Sequence, residues 1–136
     1  MKRTVVASER AEQAALISWW AIACKKYGLP EFALYAVPNG AHLAGDTRQR
    51  GIQMSILKGC GLRPGMPDLN LDVPHRNVSS IHGLRIEMKR SKGASIRSEQ
   101  EAVIEYLNNV GYVAYVAYGF EDAKGIIERY LGSRGT

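Results

Sequence analysis

The sequence predicts an α/β domain in which helices flank a mixed β-sheet, with its elements in the order α-β-α-β-β-α-β-α. Segments with the apolar spacing of amphipathic helices are interspersed along the chain with shorter segments in which apolar and polar residues alternate, as in strands. The chain of 136 residues is 46% hydrophobic and 23% charged, as expected of one globular domain. We therefore treat residues 1–136 as a single domain.

The first half of the chain contains two predicted helices and a short strand. An apolar stripe predicts a helix from Ser8 to about Tyr27, which residues 28–30, Gly-Leu-Pro, bring to an end. Residues 34–37 are predicted as a strand, because the turn signal Pro-Asn-Gly follows at residues 38–40. Residues 47–58 predict a helix that is basic on one side. Its other side is apolar and consists of Ile52, Ile56 and Leu57.

Two strands are predicted in the middle of the chain. Apolar and polar residues alternate over 68–73 and again over 81–89, with a polar, turn-like segment between them. Alternate residues of a strand share a face, so Glu87 and Lys89 lie on the same side of the second strand. If the two strands pair as a hairpin, Asp68 at the start of the first strand comes close to Glu87.

The last part of the chain predicts a helix, a strand and a closing helix. Ser98 and Glu101 fit a capping box, with Ser98 as the N-cap of a helix that runs to about Asn109. Residues 112–118 are the most β-prone segment and are predicted as a central strand, and residues 120–131 form an amphipathic helix.

Asp68, Glu87 and Lys89 predict a phosphoryl-transfer site. Two carboxylates and a backbone carbonyl, here that of Met88, are the hard oxygen ligands that Mg²⁺ prefers. Lys89 on the same face is suited to orient an attacking water and to stabilise negative charge on a phosphate. The sequence alone thus points to metal-assisted hydrolysis at this pair of strands.

The distribution of charge favours a nucleic-acid partner. The net charge is +5, and the segment from Arg48 to Arg97 holds ten Lys/Arg against three acidic residues. Such a basic segment suits a phosphate backbone. The two cysteines, Cys24 and Cys60, are too few for a disulfide framework or a zinc site, and no apolar run is long enough to span a membrane. We therefore expect a cytoplasmic protein without a signal peptide or a membrane partner.

The pattern Pro67-Asp68 … Glu87-Met88-Lys89 resembles the signature of the PD-(D/E)XK nucleases. The chain further resembles one branch of that superfamily, the VRR-NUC domains, in their stand-alone phage or prophage form. Five segments carry this resemblance, in order from about residue 9 to residue 131. They are Glu9-x-x-x-Gln13, Val37-Pro38-Asn39-Gly40, Gly65-Met66-Pro67-Asp68-Leu69, Gly83-Leu84 before Ile86-Glu87-Met88-Lys89, and Ser98-Glu99-Gln100.

The resemblance implies a restriction-endonuclease-like fold and assigns roles to residues. Asp68, Glu87 and the Met88 carbonyl would bind the metal, and Lys89 would be the catalytic lysine. Gln100 would reach into the site from the next helix. A glutamate of the first helix commonly completes such sites. The family-like spacing favours Glu9 for that role, whereas helical geometry also allows Glu12, so both candidates stay open.

The expected function is a Mg²⁺-dependent DNA endonuclease, with Mn²⁺ as a substitute and without a small-molecule cofactor. Stand-alone members of this branch are expected to act as homodimers on branched DNA, Holliday junctions in particular. A non-catalytic DNA-binding module that keeps the nuclease fold is the alternative. The candidate DNA contacts are Asn39, Arg48, Arg50, Lys58, Arg63, Arg90, Lys92 and Arg97.

Overall fold

The computed structural model of the chain describes residues 5–38 and 43–132. The predicted helices and strands are all present, and short 3₁₀ turns extend the first helix and precede the first strand. The helices are α1 (Glu9–Ala23), α2 (Thr47–Gly59), α3 (Ser98–Asn109) and α4 (Phe120–Leu131). The strands are β1 (Leu34–Ala36), β2 (Leu69–Leu71), β3 (Gly83–Lys89) and β4 (Tyr112–Tyr118). None of the helices in the described part of the chain is long and apolar enough to cross a membrane.

The four strands form a mixed sheet in the order β1-β2-β3-β4. β1 pairs with β2 and β2 with β3 in antiparallel fashion, whereas β3 and β4 run parallel. The parallel pair requires a crossover connection, and α3 supplies it. The α/β fold with a mixed sheet is therefore confirmed.

The two faces of the sheet have different partners. Leu16 and Trp20 of α1 and Ile127 of α4 pack with apolar residues of one face and form the main core. The buried strand residues of this core are Leu34, Leu69, Leu71, Leu84, Ile86, Met88 and Ala117. α3 lies on the opposite face, where Gln100 bonds to Glu87. The site residues of β3 therefore lie on the side of the sheet that the main core leaves free.

The prediction that residues 112–118 form a central strand is wrong, since β4 is an edge strand of the described sheet. Two side chains form hydrogen bonds with backbone groups on its open edge. Asn108 bonds to both the N–H and the carbonyl of Ala114, and Asp122 accepts the N–H of Tyr118. α3 and α4 both pack against this strand and bury Ala114 and Ala117, so its apolar composition resembles that of a central strand although Tyr115 and Tyr118 are exposed.

Two local predictions also differ from the structure. The apolar side predicted for α2 does not enter the core, because Ile52 and Ile56 are 52% and 61% exposed. The N-cap of α3 is Arg97 and not Ser98. Gln100 takes the third helical position, and its side chain reaches back to accept the Arg97 N–H at 2.9 Å. The side chain of Glu101 is exposed to solvent.

Candidate metal centre and active-site cleft

Asp68 and Glu87 meet because of the register between β2 and β3. Leu69 pairs with Ile86 in this antiparallel ladder, so the next residues along, Asp68 and Glu87, lie opposite each other. The N–H of Met88 donates to Asp68 Oδ2 at 2.7 Å, which holds the carboxylate beside the strand. The hairpin expected from the sequence therefore brings the two carboxylates together.

Glu9 contributes a third carboxylate from the first turn of α1. One oxygen each of Glu9, Asp68 and Glu87 lie within 4.8 Å of one another, and together they could hold a metal ion. Glu9 is exposed, Asp68 is half-buried and Glu87 is buried. We call these three residues the acidic group.

Glu87 brings a buried carboxylate oxygen without a described partner to the acidic group. Its side chain is 3% exposed, and its Oε2 atom has no hydrogen-bond partner among the described residues. Burial, and then the neighbouring Asp68 carboxylate, raise the pKa of Glu87 to about 8. Burial also raises the pKa of Asp68. A divalent cation would supply the missing partner, so the donor set fits a hard metal ion.

Lys89 and Gln100 complete a polar network with Glu87. Gln100 donates to Glu87 Oε1 at 2.8 Å and accepts from Lys89 Nζ at 2.9 Å. The Lys89 Nζ atom also lies 3.7 Å from Glu87 Oε1. Both Lys89 and Gln100 are buried, which fixes the ammonium group at the inner wall of the site.

The backbone of Met88 is oriented as a metal ligand requires. Successive residues of a strand direct their backbone groups to opposite neighbours. The Lys89 carbonyl accepts the N–H of Gly119 on the β4 side, and the Met88 N–H points to Asp68. The Met88 carbonyl therefore faces the side of β3 on which Asp68 lies.

The structure separates the two glutamates that the sequence left open. Glu12 is not in the acidic group, because its Oε2 atom accepts the N–H of Phe120 at the start of α4. Glu9 is the glutamate of α1 that lies beside Asp68 and Glu87. The helical stripe that made Glu12 a candidate instead turns its carboxylate toward α4.

A cleft of about 810 Å³ opens over the acidic group. Its walls come from the start of α1, the second half of α2 and the loops before β2 and α3. Four of the predicted DNA contacts line it, namely Lys58, Arg63, Arg90 and Arg97. Three others, Arg48, Arg50 and Lys92, are exposed outside this lining. Asn39 lies outside the described residues.

The cleft also contains residues that the sequence did not mark as functional. Met54 and Leu62 are part of its lining. Gly65 has φ +86°, and a Cβ there would lie 2.8 Å from the Glu99 carbonyl oxygen. This glycine therefore seats the loop before Asp68 against the start of α3. In the sequence, its position directly before Met66-Pro67-Asp68 was the signal that could have indicated this role.

Comparison with known proteins finds a similar solved structure. No family model matches the chain, and no curated protein matches it. The chain is similar to a solved structure described as a VRR_NUC domain protein, with a TM-score of 0.75 and 26% sequence identity. The similarity covers 93% of this chain and 90% of that one. It confirms the resemblance to VRR-NUC domains and the restriction-endonuclease-like fold that the sequence motifs indicated, but not the phage type.

Proposed function

We propose, from the premise that this chain is a VRR-NUC domain, that residues 1–136 form a metal-dependent DNA endonuclease. It hydrolyses phosphodiester bonds of branched DNA, Holliday junctions in particular, and acts as a homodimer in the cytoplasm. Mg²⁺ is the proposed cofactor, and Mn²⁺ substitutes for it. The acidic group carries this proposal, because it gathers three carboxylates beside a buried lysine in a cleft with basic walls.

Asp68, Glu87 and Glu9 would hold the cation, together with the Met88 carbonyl. The fit rests on Glu87, whose buried Oε2 atom has no other described partner. When bound, Mg²⁺ supplies a Lewis acid for the phosphate and lowers the pKa of water toward neutrality. Oxygen ligands without sulfur or imidazole suit Mg²⁺ or Mn²⁺ better than zinc.

Besides the metal ligands, Lys89 and Gln100 are the side chains that would assist the reaction. The Lys89 ammonium is held by Gln100 next to Glu87, where it stabilises charge that develops on a phosphate. Gln100 also donates a hydrogen bond to Glu87, so its amide group sets the distance between the Glu87 carboxylate and the Lys89 ammonium. This preorganisation removes the need to order either side chain during the reaction.

The walls of the cleft would bind the DNA backbone. Lys58 and Arg63 line it from the end of α2 and the segment that follows, and Arg90 and Arg97 line it from the segment between β3 and α3. Arg90 Nη2 donates to the Gly93 carbonyl at 2.6 Å, which fixes the guanidinium within that loop. Cations at fixed positions around the acidic group would place a phosphate over it.

Branched DNA and the homodimer follow from the resemblance and from size. A two-fold dimer carries two equal sites, which suits symmetric cleavage of two strands. One domain of 15.0 kDa offers little surface to hold a four-way junction. A phage or prophage origin stays a prediction.

A cleavage assay tests the proposal. Purified protein is mixed with a labelled four-way junction or a matched linear duplex, in Mg²⁺, in Mn²⁺ or in EDTA. Glu87→Gln is the matched control, because the amide keeps the shape of the side chain and removes its charge. We expect metal-dependent cutting of the junction that the variant lacks. Binding without cutting in every metal would instead favour the non-catalytic DNA-binding module.

A further inference from the structure

Glu12 lies one turn after Glu9 on α1 and makes a long-range contact. Its Oε2 atom accepts the N–H of Phe120, the first residue of α4. The first N–H groups of a helix have no acceptor within the helix, and the positive end of the helix dipole favours a carboxylate there. Glu12 thus ties the first turns of α1 to the start of α4.

The start of α4 is itself bonded to the site strand. The N–H of Gly119 donates to the Lys89 carbonyl at 2.8 Å. Gly119 has φ +92°, and a Cβ there would lie 2.9 Å from Glu12 Oε2 and 3.2 Å from the Ser91 Cβ. Glu12 therefore packs directly against the backbone joint that holds the end of β3.

We infer that Glu12 is a positioning residue, which places the Glu9 carboxylate beside Asp68 and Glu87 by fastening α1 to the joint of β4 and α4. Asp68 is fixed by the Met88 N–H and Glu87 by Gln100, both close to β3. The position of Glu9 depends instead on the helix that carries it. This inference rests on the proposed function, in which the three carboxylates bind a cation.

Two substitutions at Glu12 separate positioning from other roles. Glu12→Ala removes the acceptor of the Phe120 N–H, whereas Glu12→Gln keeps an acceptor oxygen and removes the charge. Tyr130→Phe is the matched control on α4, because it removes the hydrogen bond from the Tyr130 hydroxyl to the Val73 carbonyl, far from the acidic group. Mn²⁺ affinity is measured by calorimetry without DNA, well below the melting temperature of every variant.

We expect Glu12→Ala to weaken Mn²⁺ binding about tenfold, the lower end for residues that orient metal ligands. Glu12→Gln and Tyr130→Phe should bind Mn²⁺ within about twofold of the wild type. Unchanged affinity in Glu12→Ala would overturn the inference. So would an equal loss in Glu12→Gln, which would mark Glu12 as a ligand or a necessary charge, or an equal loss in Tyr130→Phe, which would indicate a general effect of stability.

Hydrogen exchange keeps the inference testable even if the wild type binds no Mn²⁺, a result that would refute the proposed function alone. Peptides that cover residues 9–16 should exchange faster in Glu12→Ala than in the wild type, Glu12→Gln or Tyr130→Phe. Equal exchange in Glu12→Ala and the wild type would show that Glu12 does not hold the first turns of α1.

Discussion

Gln100 accepts a hydrogen bond from Lys89 Nζ at 2.9 Å with the same oxygen that accepts the backbone N–H of Arg97. One side chain therefore caps α3 and holds the candidate catalytic lysine. The amide nitrogen of Gln100 donates to Glu87, so the start of α3 and the acidic group are parts of one hydrogen-bonded unit.

Gln100→Ala should lower both stability and activity. The loss of the cap and of two buried hydrogen bonds is expected to lower the free energy of unfolding by about 1–3 kcal/mol. Displacement of Lys89 should slow cleavage by about 10²-fold. Urea denaturation and single-turnover cleavage measure the two effects. Glu101→Ala is the control, since the exposed Glu101 should matter to neither, and an equal loss there would restore Ser98 and Glu101 as the capping box.

Lys89→Ala should remove activity and spare metal binding. The ammonium stabilises charge on the phosphate but does not bind the cation, so we expect a loss of cleavage of at least about 10²-fold. Mn²⁺ affinity, measured by calorimetry, should stay close to that of the wild type. Lys89→Met fills the buried space without charge and should behave in the same way. A matching loss of metal affinity in both variants would contradict the role given to Lys89.

The stability of the metal-free protein should fall as pH rises from about 4.5 to about 8. The folded protein holds a proton on Glu87 up to its pKa of about 8, whereas the unfolded chain releases it near the ordinary value of 4.5. The folded state binds more protons in this window, so the free energy of unfolding decreases with pH. The raised pKa of Asp68 acts in the same direction.

Melting temperatures in EDTA at pH 5, 6.5 and 8 test this pH dependence. Glu87→Gln should flatten the curve and melt above the wild type at pH 8, because its amide never carries the buried charge. Mg²⁺ or Mn²⁺ should raise the wild-type melting temperature most at pH 8, where the carboxylates are ionised. Parallel curves for the two proteins would show that Glu87 does not carry the effect.

The cleft should dominate the salt dependence of DNA binding. Replacing both Lys58 and Arg63 with alanine removes two cations of the lining and should reduce the slope of log K against log salt by up to about 1.8. Arg48 and Arg50 lie on the same helix as Lys58 but outside the lining. Replacing both of them with alanine should therefore reduce the slope less. Fluorescence anisotropy in Ca²⁺ measures both slopes. A larger effect of the Arg48 and Arg50 pair would move the DNA away from the cleft.

Gly65→Ala should destabilise the protein more than Gly61→Ala. Both glycines have positive φ, so both substitutions strain the backbone by on the order of 1 kcal/mol. A Cβ at Gly65 would also meet the Glu99 backbone, whereas a Cβ at Gly61 would meet no atom of the described residues within 4 Å. Urea denaturation of the two variants isolates this contact, and equal destabilisation would show that the loop before Asp68 shifts without loss.

Much of the fold could be predicted because its signals are local. The helix from Glu9 and the strands around Asp68 and Glu87 follow from apolar spacing within short segments. The pairing of Asp68 with Glu87 needed only one further assumption, that two consecutive strands form a hairpin. Sequence reasoning failed where one element had to be placed against distant ones, as for the edge position of β4.

The sequence by itself determined the class of fold and the family resemblance, and it predicted that Asp68, Glu87 and Lys89 form the site. Only the tertiary structure shows that Glu9, and not Glu12, lies beside Asp68 and Glu87. Three residues apart on one helix, these two glutamates have nearly the same local surroundings and the same intrinsic chemistry. The acceptance of the Phe120 N–H, from 108 residues away, turns Glu12 toward α4 and leaves Glu9 to the acidic group. Such a contact depends on how two helices dock, which short-range sequence patterns do not encode.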